Sequence, residues 1–231
     1  MLTINVSGIA FEADWIHPDE SREGDATKVA ICLHPWSWLG GQMNDPVILS
    51  LVEPLQIKGY HILRYNSRGV GRSTGWSSLT GLSEGDDLQA VMSWTQSKCP
   101  NLSSLVLLGY SHGSLIACLP GLLPPPVKTS HILLSYPLGP RSWLTCFRSQ
   151  TYQKKLQELV QNPESNILVV FGDQDEFTSA SQYQDWGRLL ESLVADEGNK
   201  RLQIVEVPQA THFWRGRDMD ALVEKVSGWL P

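Results

Sequence analysis

Residues 109–113 read Gly-Tyr-Ser-His-Gly, a serine held between two glycines at a spacing that suits nucleophilic chemistry. The apolar run before it, 104–108, reads as a buried strand, and the residues after it read as a helix. A serine at a sharp strand-to-helix turn stands clear of its own backbone, so a base and a substrate carbonyl can both reach its hydroxyl. Glycines on either side carry no Cβ and let strand and helix approach closely. A serine in this place could equally cap a helix, and a pattern this short recurs by chance. Its setting and its partners elsewhere in the chain make it specific.

A serine hydroxyl is a poor nucleophile without a base, and the base needs a group to orient it. Of the six histidines, at 17, 34, 61, 112, 131 and 212, only His212 lies in a loop that follows both the serine and an acidic loop. His112 directly follows Ser111, so its ring points away from the Ser111 hydroxyl. The acidic loop, 172–177, offers Asp173, Asp175 and Glu176. Asp173 begins the turn, where an aspartate tends to bond local backbone. Asp175 lies further out and could reach back to His212. Acyl transfer also needs donors for a developing oxyanion. The amide of His112, opening the helix after the serine, is one candidate. The loop after the third strand, His34-Pro35-Trp36, supplies the other; Pro35 has no N–H, so the donor is Trp36.

These loops need a scaffold that brings distant segments to one edge. Residues 2–6 and 9–16 read as a hairpin about Ser7-Gly8. Further strands are expected over 28–33, 60–65, 104–108, 130–136, 166–171 and 201–207. Helices are expected over 45–58, 83–98, 149–161, 179–194 and 217–230, with a short one after Ser111. Asp45 reads as an N-cap with Pro46 at the first helical position, and Ser83-x-x-Asp86 resembles a capping box. Strands alternating with helices predict an α/β fold with a mostly parallel eight-stranded sheet covered on both faces. The candidate loops then lie together beyond the carboxyl ends of the strands, where open α/β sheets hold their ligands. No repeat or domain-sized linker interrupts the chain, so 1–231 reads as one domain.

Bulk properties narrow the function. The 231 residues are 42% hydrophobic and 18% charged, which suits a globular core. Net charge is −6 with mixed signs and no basic stripe, which argues against nucleic acid as a partner. No apolar run approaches the ~18 residues of a membrane span. The first residues lack the features of a signal peptide. Cysteines at 32, 99, 118 and 146 have no metal-like spacing, and Cys32 and Cys118 read as small buried thiols. A cytoplasmic protein with a small-molecule substrate and no metal or cofactor is the expectation.

Five motifs in one order resemble the short serine-esterase-like α/β-hydrolases. They are Leu33-His34-Pro35 with 40–44, the loop 64–75 (Arg-Tyr-Asn-Ser-Arg-Gly-Val-Gly-Arg-Ser-Thr-Gly), Gly109-Tyr110-Ser111-His112-Gly113, Gly172-Asp173-Gln174-Asp175, and His212-Phe213-Trp214. The resemblance covers nearly the whole chain. It implies the α/β-hydrolase fold, a triad of Ser111, Asp175 and His212, and an oxyanion hole from the Trp36 and His112 amides. The sequence departs from the group at Trp36-Ser37, His112 and Thr211, none of which removes a catalytic atom. Residues 137–165 leave room for about one helix, a minimal lid. Arg68 reads as a structural residue that ties loops together. Trp38, Trp76, Trp143 and Trp214, with Trp36, fall in loops on the expected active side; they either anchor the long loops or line a pocket for a flat or lipophilic group. The leading expectation is hydrolysis of an ester or thioester of a small hydrophobic or aromatic substrate. The same fold and triad also serve cyclisation or carbon–carbon cleavage; a non-catalytic binding module would not need all three triad residues.

Overall fold

The computed structural model describes residues 1–18, 26–194 and 201–230. Eight strands form one sheet in the order β1-β2-β4-β3-β5-β6-β7-β8. β1 (Leu2–Val6) and β2 (Ile9–Ile16) form the expected hairpin, and β2 runs antiparallel to β4 (Tyr60–Tyr65). Ser7 and Gly8 take φ of 51° and 76°, the left-handed pair that a two-residue hairpin turn requires. The remaining strands, β3 (Thr27–Leu33), β5 (Leu102–Tyr110), β6 (Lys128–Leu134), β7 (Asn166–Gly172) and β8 (Leu202–Val207), pair parallel to their neighbours.

Alternation along the strands divides the core into two layers. On one face Ala30, Cys32, Val106, Leu108, Ile132, Leu134, Leu168 and Val170 are buried under α1 (Pro46–Ser50), α2 (Val52–Ile57) and α8 (Arg217–Trp229). On the other, Val29, Ile31, Leu105, Leu107, Leu133 and Val169 meet α3 (Leu82–Lys98), α4 (His112–Ala117), α5 (Arg141–Leu144), α6 (Ser149–Gln161) and α7 (Ala180–Ser192). The central strands are therefore apolar at consecutive positions, as strands covered on both faces must be.

Several element boundaries differ from expectation. The helix expected over 45–58 is broken at Leu51 into α1 and α2. Pro54 has no N–H for the carbonyl of residue 50, and its ring crowds that carbonyl, so the first helix stops there. Asp45 caps α1 as expected, accepting the Val47 amide at 2.9 Å. α3 begins at Leu82 behind Gly81, with no side-chain cap, so Ser83 is not its N-cap. Instead the Glu84 carboxylate reaches back to the Ser78 amide at 2.7 Å and to the Ser78 hydroxyl. Segment 137–165 holds a one-turn helix, α5, in addition to α6; Cys146 and Phe147, both at positive φ, separate the two. Residues 19–25 of the polar loop expected after β2 lie outside the described part.

The strand order places the site. From β3 the chain goes to one side to make β4, then crosses back to make β5 on the other side of β3. This reversal opens a crevice at the carboxyl ends of β3 and β5. Register aligns those ends: Leu33 pairs with Gly109, Tyr110 with Leu134, and Gly172 with Val207. The residues that follow Leu33, Tyr110, Gly172 and Val207 are the four candidate loops.

Candidate active site

The turn after β5 is tight because two backbones cross there. A Cβ on Gly109 would lie 2.3 Å from the Gly113 carbonyl oxygen, and a Cβ on Gly113 would lie 2.3 Å from that of Leu33. Only glycine fits either position. Ser111 between them takes φ 53° and ψ −118°, a conformation that costs a non-glycine residue about 1–3 kcal/mol. Its amide donates to the Leu134 carbonyl at 2.8 Å, and its carbonyl accepts the Ser114 amide and hydroxyl at 2.9 and 2.6 Å. These bonds hold the strained residue in place.

Three sequence-predicted side chains meet here. Ser111 Oγ lies 3.0 Å from His212 Nε2, and His212 Nδ1 lies 2.7 Å from Asp175 Oδ2. All three residues are buried. A carboxylate beside Nδ1 keeps the ring proton on that nitrogen and leaves Nε2 free to accept the serine proton. Asp175 is itself fixed: Oδ1 accepts the amides of Phe177 and Thr178 at 2.9 and 3.0 Å, and Oδ2 accepts the Tyr183 hydroxyl at 3.3 Å. Asp173 does not reach His212. Its Oδ1 accepts the Gln209 amide at 2.6 Å and so ties the acidic loop to the loop carrying the base.

Further residues hold the histidine. Glu176 Oε2 accepts the His212 amide at 2.8 Å, and the Tyr110 hydroxyl donates to the His212 carbonyl at 3.0 Å. The Phe177 ring stands edge-on to the imidazole at 4.6 Å. Sequence reasoning weighed Glu176 only as a rival acid, and its adjacency to Asp175 was the one signal available. Burial and the carboxylates of Asp45, Asp175 and Glu176 push the Tyr110 hydroxyl far above its ordinary range, so it stays a donor.

The two expected oxyanion donors stand on opposite sides of Ser111 in sequence. The Trp36 carbonyl accepts the Leu39 and Gly41 amides, both at 3.1 Å, which curls the loop after β3, while the Trp36 amide makes no hydrogen bond among the described residues. His112 opens α4, where first-turn amides have no partner within the helix. The residue is half-buried, its ring lies near Gly81 and outside the cavity lining, and burial, with the nearby His34, pushes its pKa down to about 4. His34 is likewise pushed down to about 4 by burial. Its Nε2 accepts the Ser67 amide at 3.0 Å, so the proton sits on Nδ1 and goes to the Pro35 carbonyl at 2.7 Å.

A cavity of about 200 Å³ opens over Ser111 and His212. Its walls are largely apolar, with Trp36, Leu39, Pro137, Trp143, Phe177 and Phe213 among them. Of the tryptophans expected to line it, Trp36 and Trp143 do, edge to face at 4.8 Å. Trp38 does not; it stacks on Trp36 from outside at 6.1 Å. Trp76 is 89% exposed and lies apart from the cavity. Trp214 is 0% exposed: its backbone, at φ 47°, turns the ring into the core, where Nε1 donates to Ser135 Oγ at 2.9 Å. Phe177 and Phe213 take the places assigned to these three. Arg68 is structural, making a two-pronged pair with buried Asp87 at 2.6 Å on both arms. Among the described residues no cluster of metal-ligating side chains occurs, and no helix is long and apolar enough to cross a membrane.

No protein-family profile matches the chain. An uncharacterised protein of Rickettsia prowazekii is 38% identical over 102 residues, a stretch that spans 42% of this chain and 42% of that protein. Among solved structures, a putative α/β hydrolase of unknown function from Agrobacterium tumefaciens superposes with a TM-score of 0.77 at 23% identity, over 99% of this chain and 93% of the other. A serine hydrolase without a lid from Xanthomonas campestris superposes with a TM-score of 0.72 at 27% identity, over 100% and 94%. The chain has the α/β-hydrolase fold.

Proposed function

We propose that this protein is a serine hydrolase that cleaves an ester or thioester of a small, largely hydrophobic substrate through an acyl-enzyme on Ser111. The observation that carries the reading is the unbroken relay from Ser111 Oγ through His212 to Asp175, at 3.0 and 2.7 Å, on the floor of an apolar cavity. Ser111 Oγ attacks the substrate carbonyl while His212 Nε2 takes its proton. Asp175 orients the ring and stabilises the imidazolium. The amides of Trp36 and His112 receive the oxyanion, and His212 returns the proton to the departing alcohol or thiol. A water, deprotonated by His212, then attacks the acyl-enzyme and releases the acid. The strain at Ser111 aids this chemistry by holding the hydroxyl out from the backbone before substrate arrives.

The test is labelling with a fluorophosphonate followed by peptide mass mapping. One adduct, on Ser111, is expected. Ser111→Ala should abolish labelling and lower kcat at least ~10³-fold without changing the melting temperature. An adduct on another serine, or none on folded protein, would overturn the proposal.

A further inference from the structure

The cavity over Ser111 carries one carboxylate in an otherwise apolar and aromatic wall. Asp45 lines it beside Tyr110, Ser111 and His212. The residue is half-buried, and its bonds run to backbone amides at the start of α1, Val47 at 2.9 Å foremost. No lysine, arginine or side-chain hydroxyl pairs with it among the described residues. The same cavity is lined by the rings of Trp36, Trp143, Phe177 and Phe213. Ring faces attract cations and give nothing to anions.

We propose that Asp45 is a specificity-determining residue and that the preferred substrate is an ester or thioester bearing an ammonium group, held between this carboxylate and the aromatic wall. The inference rests on the Ser111 hydrolase reading and names its substrate class. Costs decide among ligands. A neutral apolar group filling the cavity would strip water from Asp45 and return no partner, which is expensive for a charge. An anionic group would face like charge. A cation supplies the missing partner and the ring contacts together. The wider field agrees: around Tyr110 the carboxylates of Asp45, Asp175 and Glu176 stand against one guanidinium, that of Arg215. Arg215 lies over the Phe213 ring at 5.5 Å, and Asp175 is already matched by His212. Burial pushes the Asp45 carboxyl up, against the Val47 and Ile48 amides and the nearby His212, which act to lower it.

Matched esters test this. One pair carries a trimethylammonium group or its tert-butyl isostere on the alcohol side; a second pair carries them on the acyl side. Wild-type protein is expected to favour the ammonium member of at least one pair by about tenfold or more in kcat/KM. Asp45→Asn and Asp45→Ser both keep a helix-capping side chain without the charge. In both, the ammonium-to-tert-butyl ratio should fall roughly tenfold towards one. A wild-type ratio near one in both pairs, or a ratio unchanged in both folded variants, overturns the proposal. If the tert-butyl esters are cleaved by wild type and not by Ser111→Ala, the hydrolase reading survives that failure. If nothing is cleaved and the phosphonate does not label Ser111, both fall.

Discussion

Asp173 and Asp175 are two residues apart, are chemically identical, and sit in different bonds. Asp175 meets His212 Nδ1 at 2.7 Å with its other oxygen on two amides, whereas Asp173 accepts the Gln209 amide at 2.6 Å. Their variants should therefore fail differently. On the proposed function, Asp175→Asn puts an amide where the ring needs an acceptor, and kcat should fall by about 10⁴, the size seen when the triad aspartate of a known serine protease is neutralised. Asp173→Ala removes one loop-tying bond, costing about 1 kcal/mol of stability with kcat kept within a few-fold. Steady-state kinetics and urea melts on the two proteins check this; loss of turnover in folded Asp173→Ala with activity retained in Asp175→Asn would reverse the assignment. The serine, the histidine and the competing acids were legible in the sequence because each lies in a loop that follows an apolar strand. The roles of Glu176 and Asp45 were not. Glu176 bonds an amide 36 positions away, and Asp45 lines the cavity with residues from loops far from it in sequence. No local pattern records such long-range closures.

At the scale of elements, the aromatic loop residues show how far pattern reading goes. Strand positions and sheet class were readable from apolar runs, and the break at Pro54 had its cause in plain view. Side-chain direction in loops was not readable, because a left-handed residue turns a ring from solvent into core: Trp214, at φ 47°, does so, while Trp143, on the one-turn α5, faces the cavity and stays 63% exposed. The two tryptophans should therefore report different quantities. Trp143→Ala is expected to raise KM for aromatic esters a few-fold to tenfold over acetyl esters, the worth of about 1 kcal/mol of ring contact, with little change in melting temperature. Trp214→Phe orphans the buried Ser135 hydroxyl and should cost about 1–3 kcal/mol, lowering the melting temperature by several degrees without shifting substrate preference. A substrate-dependent KM change in folded Trp214→Phe, with none in Trp143→Ala, would exchange their roles.

For the whole molecule, the sheet order that builds the crevice also takes histidines out of water, one of them in mid-sheet. His131 on β6 is fully buried between Leu107 and Ile167 of the adjacent strands, and neither ring nitrogen has a hydrogen-bond partner among the described residues. His34 is buried as well and His112 half-buried, and burial pushes all three down to about 4. His34 adds a geometric reason: a proton on Nε2 would expel the Ser67 amide and loosen the loop that presents Trp36. A histidine with a depressed folded pKa holds fewer protons folded than unfolded between about 4 and about 6.5. Stability from these three is thus fully present above pH ~6.5 and is lost as pH falls towards ~4, at about 1.4 kcal/mol per pH unit for each histidine. Acid should therefore weaken the fold before the bulk of the carboxylates titrate. His131→Met, apolar and of similar reach, isolates one share of the effect. Between pH 6 and 5, the pH slope of its unfolding free energy from urea melts should be shallower than wild type by about 1.4 kcal/mol per unit. Equal slopes in the two proteins would mean that His131 keeps its proton inside the fold, and the acid sensitivity would then have to come from His34 and His112 at the loops that frame Ser111.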